Sequence, residues 1–107
     1  GAEYLVNITN DAWFGKTAAS HQHISIAALR AVENRTPIVR AANTGISGII
    51  DPTGELRNTT QLFTREFVIG DIAPNKGPRT FYSQFGDIFS YLCLTLVVTI
   101  SYLAYRP

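Results

Sequence analysis

The sequence predicts an α/β layer structure followed by an apolar helix at its C-terminal end. Short β-branched and aromatic runs alternate with one amphipathic helical pattern, which is typical of strands and helices packed in layers. Residues 88–104 are 17 successive residues without a charge, close to the roughly 20 that a membrane-spanning helix needs. The 87 residues before this run can bury only a modest core, so we expect them to supply one edge of a larger layered domain.

The first elements are a strand and a helix. Residues 4–8 are β-branched and aromatic and end at a turn cluster, which predicts a buried strand. Residues 20–34 place apolar side chains at helical spacing, and Ser20 is the expected N-cap. The stripe is narrow and contains mostly small residues: Ile24, Ala27, Ala28 and Ala31. Pro37 ends this helix.

The middle of the chain predicts further strands. Residues 38–42 and 45–50 read as a strand pair with a kink at 43–45. Asp51-Pro52-Thr53-Gly54 has proline and glycine where a type I turn favours them. Residues 67–72 are predicted to form another strand, and residues 73–80 a linker rich in proline and glycine.

A loop after the first strand is the main candidate site. Residues 7–15 read Asn-Ile-Thr-Asn-Asp-Ala-Trp-Phe-Gly and place Trp13 beside Phe14 in a turn. Large aromatic side chains on a loop are either packed under neighbouring elements or available to a ligand. Asn10 and Asp11 supply turn chemistry, and Asp11 has two interpretations: an Asx turn, which is favoured, or a direct role in chemistry.

Glu33 in the last turn of the predicted helix needs a partner, because the helix dipole disfavours an anion there. Arg30 and Arg40 are both candidates. A brace between helix and strand is favoured over a catalytic base, and we assign Glu33, Arg40 and Asn43 to structural support.

Other chemistry finds little support in the sequence. His21 and His23 lack the partners of a metal motif, and no metal or cofactor is expected. Cys93 lies in the apolar run without a neighbouring base, so it is interpreted as a packing residue. The net charge of +1, with scattered lysines and arginines, gives no indication of nucleic-acid binding.

Several segments together resemble the C-terminal part of the bacterial apolipoprotein N-acyltransferase family, within the wider nitrilase or carbon–nitrogen hydrolase superfamily. The Arg30-Ala-Val-Glu-Asn34 segment fits the superfamily, whereas the Asn10-Asp-Ala-Trp-Phe-Gly15 loop with a following apolar helix narrows the match. The resemblance covers nearly the whole chain. It includes residues 22–23, 35, 37, 39–45, 51–54, 61–66, 80–82 and 85–87.

The resemblance implies part of an αββα sandwich in residues 1–80, and an aromatic-flanked transmembrane helix in residues 81–107. It implies a Glu, Lys, Cys triad whose Cys takes an acyl chain from a phospholipid. The thioester would then be attacked by the N-terminal amine of a diacylglyceryl-modified lipoprotein cysteine. All three triad residues belong upstream of Gly1 in the family pattern, so this chain alone is expected to be inactive.

The resemblance also implies an inner-membrane location with the soluble domain facing the periplasm. The chain contains no methionine and begins at Gly1, which favours a C-terminal piece of a longer protein. Asn10, Asp11, Trp13 and Phe14 are then the expected substrate-binding residues, with the lipid bilayer, the phospholipid and the lipoprotein as partners.

Three alternatives stay open. The protein could instead be an amidase or nitrilase of the wider superfamily, or a membrane-anchored module without catalysis. The apolar run could also be the buried helix of a soluble protein.

Overall fold

One mixed sheet of four strands forms the centre of the chain, in a computed structural model that describes residues 1–106. Pro107, the last residue of the predicted 81–107 segment, lies outside the described residues. The strands lie in chain order across the sheet: β1 (Leu5–Asn10), β2 (Ile38–Asn43), β3 (Gly48–Ile50) and β4 (Leu56–Arg57). The helices are α1 (Ala19–Asn34), α2 (Phe81–Phe85) and α3 (Ile88–Tyr105). Strands β1 and β2 are parallel and are joined through α1, whereas β2, β3 and β4 pair antiparallel. The predicted α/β class is confirmed.

Helix α1 packs on one face of the sheet through the predicted narrow stripe. Ile24, Ala27 and Ala31 are buried, and Ala28 is partly buried against the same core. The sheet side of this core consists of three isoleucines, Ile38, Ile46 and Ile50. Alanines on the helix let the two backbones approach closely, which explains why so small a core can form.

The predicted N-cap is wrong. The helix begins at Ala19, after Ala18, which has helical backbone angles and makes no side-chain cap bond. Ser20 lies inside the first turn and is buried. Because Ser20 is almost fully buried, its side chain packs in the interior and does not cap the helix. The hydroxyl of Thr17 accepts a bond from the Ala19 amide at 3.3 Å.

The predicted kink at residues 43–45 is a full reversal of the chain. Strand β3 returns antiparallel to β2, with Arg40 opposite Gly48. Thr44 takes a left-handed conformation, with a φ of 60°. The second reversal is confirmed: the Gly54 amide donates to the Asp51 carbonyl at 2.9 Å, between β3 and β4.

The strand predicted for residues 67–72 is wrong. This segment has no strand pairing and lies across the sheet face opposite α1, where it lines a cavity of about 460 Å³ with Val39 and Ile49. A Cβ placed on Gly70 would lie 2.6 Å from Cδ1 of Ile49, so the backbone packs against that side chain. The apolar side chains of residues 67–72 therefore indicate packing against a face of the sheet and not pairing with a neighbouring strand.

Strand β1 forms one edge of the sheet. Val6 and Ile8 are both exposed, and they share one face of β1 because side chains alternate along a strand. The outer part of this sheet is therefore apolar and uncovered among residues 1–106.

Helix α3 is the predicted apolar helix. It spans 18 residues with a mean hydropathy of 1.8, and none of its residues is buried. At about 1.5 Å per residue it is about 27 Å long. The helix is long and apolar enough to cross a membrane, and it does not pack into the core of the described domain, as the buried-helix alternative would require.

Candidate functional site

The loop of residues 10–15, here called the aromatic loop, starts where the two parallel strands end. Asn10 and Asn43 are register partners at the last position of β1 and β2. The Asn43 side-chain amide donates to Oδ1 of Asn10 at 3.2 Å, and the Asp11 amide donates to the Asn43 carbonyl at 3.1 Å. The carboxyl ends of parallel strands are common positions for binding sites in α/β proteins.

Asn10, rather than Asp11, makes the Asx turn. Its Oδ1 accepts a bond from the Ala12 amide at 3.1 Å, two residues ahead. A short 3₁₀ turn over Ala12–Phe14 follows, and Gly15 ends it with a φ of 57°. The favoured interpretation of Asp11 is therefore wrong: its neighbour satisfies the loop backbone and leaves the carboxylate of Asp11 for other partners.

The Asp11 carboxylate is the centre of a buried ionic cluster, formed by Asn7, Asp11, His23 and Arg40. Asp11 is 1% exposed. Its Oδ2 accepts from Nη2 of Arg40 at 3.0 Å, and its Oδ1 lies 3.1 Å from Nδ1 of His23. A buried carboxylate is stable only when it is paired, so both oxygens need these partners.

Arg40 connects three parts of the fold. Besides Asp11, its Nη1 donates to Oδ1 of Asn7 at 2.5 Å, and its Nε donates to the Ile46 carbonyl at 3.2 Å. The guanidinium therefore joins β1, the aromatic loop and the turn before β3. Among residues 1–106, no buried side-chain nitrogen or oxygen lacks a hydrogen-bond partner. The predicted supporting role of Arg40 fits this geometry, although its partner is Asp11 and not Glu33.

Gly45 lies directly against this cluster. A Cβ at Gly45 would be 2.9 Å from both Cβ and Cγ of Asp11, and it would overlap the carboxylate oxygen. Gly45 has no positive φ, so the close approach and not the backbone conformation requires glycine here.

Phe14 contacts the buried ionic cluster, whereas Trp13 beside it is exposed to solvent. Phe14 packs edge to face on the ring of His23, with ring centroids 4.9 Å apart and an interplanar angle of 85°. Trp13 is 86% exposed. The hydrogen bonds of Asn10 and of Asp11 thus hold the loop in place, while the side chain of Trp13 faces solvent. That Asn10, Asp11, Trp13 and Phe14 bind substrate stays a prediction.

A groove beside the aromatic loop runs along the free edge of β1. It has a volume of about 540 Å³ and lies between β1 and α1, with Leu5, Val6 and Ile26 among its apolar lining residues. His23 and Arg40 line the same groove. The groove therefore combines an apolar wall with polar groups of the buried ionic cluster.

Glu33 has the first of its two predicted partners. Nη1 of Arg30 donates to Oε2 of Glu33 at 2.7 Å on the same helix. The Glu33 carbonyl accepts a bond from the Thr80 hydroxyl. Glu33 is partly exposed and braces α1 against the chain that leads into α2, so the predicted contact with the strand is wrong.

Cys93 and His21 do not join the site, whereas His23 does. Cys93 is exposed on α3, and His21 is exposed on α1. Within residues 1–106, no group of His, Cys, Asp and Glu side chains is arranged to hold a metal ion. His23 makes the polar contact expected of a residue near the helix start.

Sequence reasoning missed the roles of Asn7 and Gly45. A signal for Asn7 was present, because parallel pairing of the two predicted strands places it opposite Arg40. Gly45 carried no such signal, since its neighbour Asp11 is distant in the sequence.

Comparisons with known proteins agree with this fold. A sequence model described as carbon-nitrogen hydrolase matches residues 1–79. The chain is 48% identical over 106 residues to the apolipoprotein N-acyltransferase of Geobacter metallireducens, covering 99% of this chain and 20% of that protein. It is 40% identical to the apolipoprotein N-acyltransferase of Rickettsia prowazekii, covering 94% of this chain and 20% of that protein. It is also 36% identical to apolipoprotein N-acyltransferase 1 of Treponema denticola, covering 92% of this chain and 18% of that protein.

The chain thus spans about a fifth of the length of the curated relatives it matches. The resemblance noted in the sequence is confirmed over nearly the whole chain, including the aromatic loop and α3. Since the family match covers most of the residues and the mixed sheet fits it, the chain belongs to the carbon-nitrogen hydrolase family.

Proposed function

We propose that this chain is the C-terminal part of a membrane-bound N-acyltransferase. The enzyme moves an acyl chain from a phospholipid to the N-terminal amine of a diacylglyceryl-modified lipoprotein cysteine. The names of the relatives from Geobacter, Rickettsia and Treponema support the transferase activity. The chain contributes the wall of the site and not its nucleophile.

The exposure of Trp13, on a loop that the buried ionic cluster holds through Asp11, carries this proposal. The exposed indole of Trp13, on a loop whose polar groups are hydrogen-bonded within the protein, is suited to contact an apolar ligand. Both proposed substrates carry acyl chains. The aromatic loop therefore forms an acyl-contacting surface, with Phe14 supported by His23 and with Asn10 and Asp11 holding the backbone.

The proposed chemistry has two steps. A cysteine, which lies upstream of Gly1 in the family pattern, loses its thiol proton and attacks the ester carbonyl of the phospholipid as a thiolate. The bond from the carbonyl carbon to the ester oxygen breaks, and the departing lysophospholipid oxygen takes up that proton and leaves as an alcohol. The lipoprotein amine then attacks the thioester, loses a proton and releases the thiolate. Covalent catalysis of this kind replaces one difficult step by two easier ones. No cofactor is required.

We further propose that residues 1–80 belong to the hydrolase-like domain and that residues 81–107 form the membrane anchor. The length of α3, about 27 Å, approaches the hydrocarbon thickness of about 30 Å. Aromatic residues lie at both of its ends, with Phe85 before the helix and Tyr105 as its last residue. The location is the bacterial inner membrane, with the soluble domain in the periplasm.

An amidase that hydrolyses a C–N bond is the second candidate, because the matching family is described as carbon-nitrogen hydrolase. Such an enzyme has no need for an apolar residue exposed at the site or for a membrane anchor.

The test substitutes Trp13 in a full-length protein that contains this chain. Thioester formation from a fluorescent phospholipid and transfer to a diacylglyceryl peptide are measured separately in detergent micelles. We expect Trp13→Ala to slow at least one step about tenfold or more, since one lost apolar contact corresponds to about 1–3 kcal/mol. Trp13→Phe should retain most of the rate.

Phe67→Ala is the matched control, because Phe67 is also 86% exposed but lies outside the aromatic loop. If Trp13→Ala transfers acyl chains at the wild-type rate in both steps, Trp13 does not contact substrate. If the protein hydrolyses a soluble amide and forms no thioester with phospholipid, the amidase is correct. The 107-residue chain alone is expected to transfer no acyl group.

A further inference from the structure

Helix α2 has two different sides. Phe81 and Phe85 lie one turn apart, with ring centroids 4.7 Å apart, and both are exposed. Tyr82 is partly buried, and its hydroxyl binds polar groups from two other parts of the chain. A helix of only five residues therefore presents an aromatic pair on one side and a hydrogen-bonding group on another.

The Tyr82 hydroxyl connects α1 to the start of α3. It accepts a bond from Nη1 of Arg30 at 3.3 Å and donates to Oδ1 of Asp87 at 3.3 Å. The bond from Arg30 to Tyr82, followed by the charge of Glu33, raises the pKa of Arg30 above its ordinary value. We call Arg30, Tyr82 and Asp87 the polar bracket.

Asp87 is used in an unusual way for its position. It is the N-cap residue of α3, but its side chain makes no cap bond. An aspartate at an N-cap ordinarily accepts bonds from the first amides of its helix. Here the carboxylate is directed to Tyr82, so the residue that precedes the apolar helix is connected to α2 and, through it, to α1.

Thr80, the N-cap residue of α2, provides a second connection to α1. Its hydroxyl accepts from the Ser83 amide at 3.1 Å and so caps α2, and it also donates to the Glu33 carbonyl. Thr80 and Tyr82 therefore both connect the first turn of α2 to the C-terminal part of α1.

We propose that α2 lies in the membrane–water interface, with Phe81 and Phe85 in contact with phospholipid, and that the polar bracket sets the position of α1 relative to the bilayer. The occupant of the aromatic side is phospholipid because only Gly86 and Asp87 separate α2 from the apolar, uncovered α3. Aromatic side chains are enriched at this depth of a membrane. The proposal rests on the membrane crossing of α3 and is independent of the acyl-transfer chemistry.

Charge near α2 agrees with this placement. Lys76 and Arg79 come just before α2, where they can meet anionic headgroups. Helix α2 is about 7.5 Å long at about 1.5 Å per residue, which fits within the interfacial layer.

Photo-crosslinking tests the contact with lipid. The photoreactive residue p-benzoylphenylalanine is incorporated at position 81, 85 or 83 of a full-length protein that contains this chain. The protein is reconstituted in vesicles of phosphatidylethanolamine and phosphatidylglycerol, and adducts are identified by mass spectrometry. Position 83 is the control, because at about 100° per residue it lies on the opposite side of α2 from Phe81.

We expect phospholipid adducts at positions 81 and 85 at least about fivefold more often than at position 83. A probe at position 97, in the middle of α3, tests the membrane crossing separately. If position 97 forms lipid adducts and positions 81 and 85 do not, α2 does not lie in the interface. If position 97 also forms none, α3 does not cross the membrane and the proposal fails with it.

The polar bracket is tested by Tyr82→Phe, which removes one hydroxyl and keeps the ring. We expect the adduct yield at position 81 to fall severalfold and amide exchange in the last turn of α1 to rise, while Tyr91→Phe on α3 changes neither. Arg30→Gln should have the same effect, and the double variant should add little, because both substitutions break the same connection. Unchanged adduct yield and exchange in Tyr82→Phe would show that the bracket does not position α2.

Discussion

Replacing Arg40 by methionine isolates the energetic role of the buried ionic cluster. Methionine has a similar length but makes none of the three contacts of the guanidinium to Asp11, Asn7 and the Ile46 carbonyl. The Asp11 side chain has 0% exposure, and after this change only His23 remains to bind it. Breaking a buried ion pair in this way typically costs about 3–5 kcal/mol, because an uncompensated charge stays buried.

Asp11→Asn should cost less than Arg40→Met. The guanidinium keeps Asn7 and the Ile46 carbonyl as acceptors, and asparagine still offers Arg40 a carbonyl oxygen. We expect about 1–3 kcal/mol for this change. The double variant Asp11→Leu with Arg40→Met removes both charges. Its loss should be smaller than the sum of the losses measured for Asp11→Leu and for Arg40→Met alone.

These differences are measured by thermal unfolding of the full-length protein in detergent, with limited proteolysis at each temperature to detect the unfolded fraction. For a domain of about 150–250 residues, 1 kcal/mol shifts the midpoint by about 2–4 °C, so Arg40→Met should lower it by about 6–20 °C. Arg57→Met is the matched control. Arg57 pairs with Asp51 and Glu55, but its side chain is 58% exposed, and such pairs contribute little. A midpoint for Arg40→Met no lower than that of Arg57→Met would refute the reasoning.

Two further predictions concern close contacts and a turn. Gly45→Ala should destabilise the domain by about 1–3 kcal/mol, because the added methyl group overpacks against Asp11. Gly77→Ala, at an exposed site, should leave the thermal unfolding midpoint near that of the wild type. Equal midpoints for the two variants would contradict the close approach of Gly45 to Asp11. The hydrogen bond from the Thr53 hydroxyl is the main cause that lowers the pKa of Asp51 below the ordinary 3.8. The ionised Asp51 side chain therefore stabilises the turn above pH 3.8, and this stabilisation is lost as the pH falls through the pKa of Asp51 in the folded protein. Thr53→Val should raise that pKa and move the loss to higher pH; a carboxyl NMR titration that stays unchanged would refute this.

The sequence predicted the elements whose pattern is local. The stripe of Ile24, Ala27 and Ala31 identifies the buried face of α1, because helical periodicity alone determines which side chains face the sheet. The uncharged run identifies α3 for a similar reason, since length and composition decide whether a helix can cross a membrane.

The errors share a different cause. Whether residues 67–72 form a strand depends on whether a partner strand is beside them, and this segment instead covers a sheet face. The role of Asp11 depended on Arg40, which lies 29 positions later in the chain. Local turn preferences favoured an Asx turn at Asp11. In the structure Asn10 makes that turn, and Asp11 is instead buried by its pairing with Arg40.

Among residues 1–106, the free edge of β1 has a consequence for how these residues behave when they are produced alone. An outermost strand whose backbone groups are unpaired is a template for a strand from another molecule, and Val6 and Ile8 add an uncovered apolar face beside it. Natural sheets often protect such edges with charged residues or proline, and β1 has neither over Leu5–Asn10. A version of these residues produced without α3 would therefore be prone to intermolecular strand pairing and aggregation. A charged substitution at Ile8 should delay that aggregation.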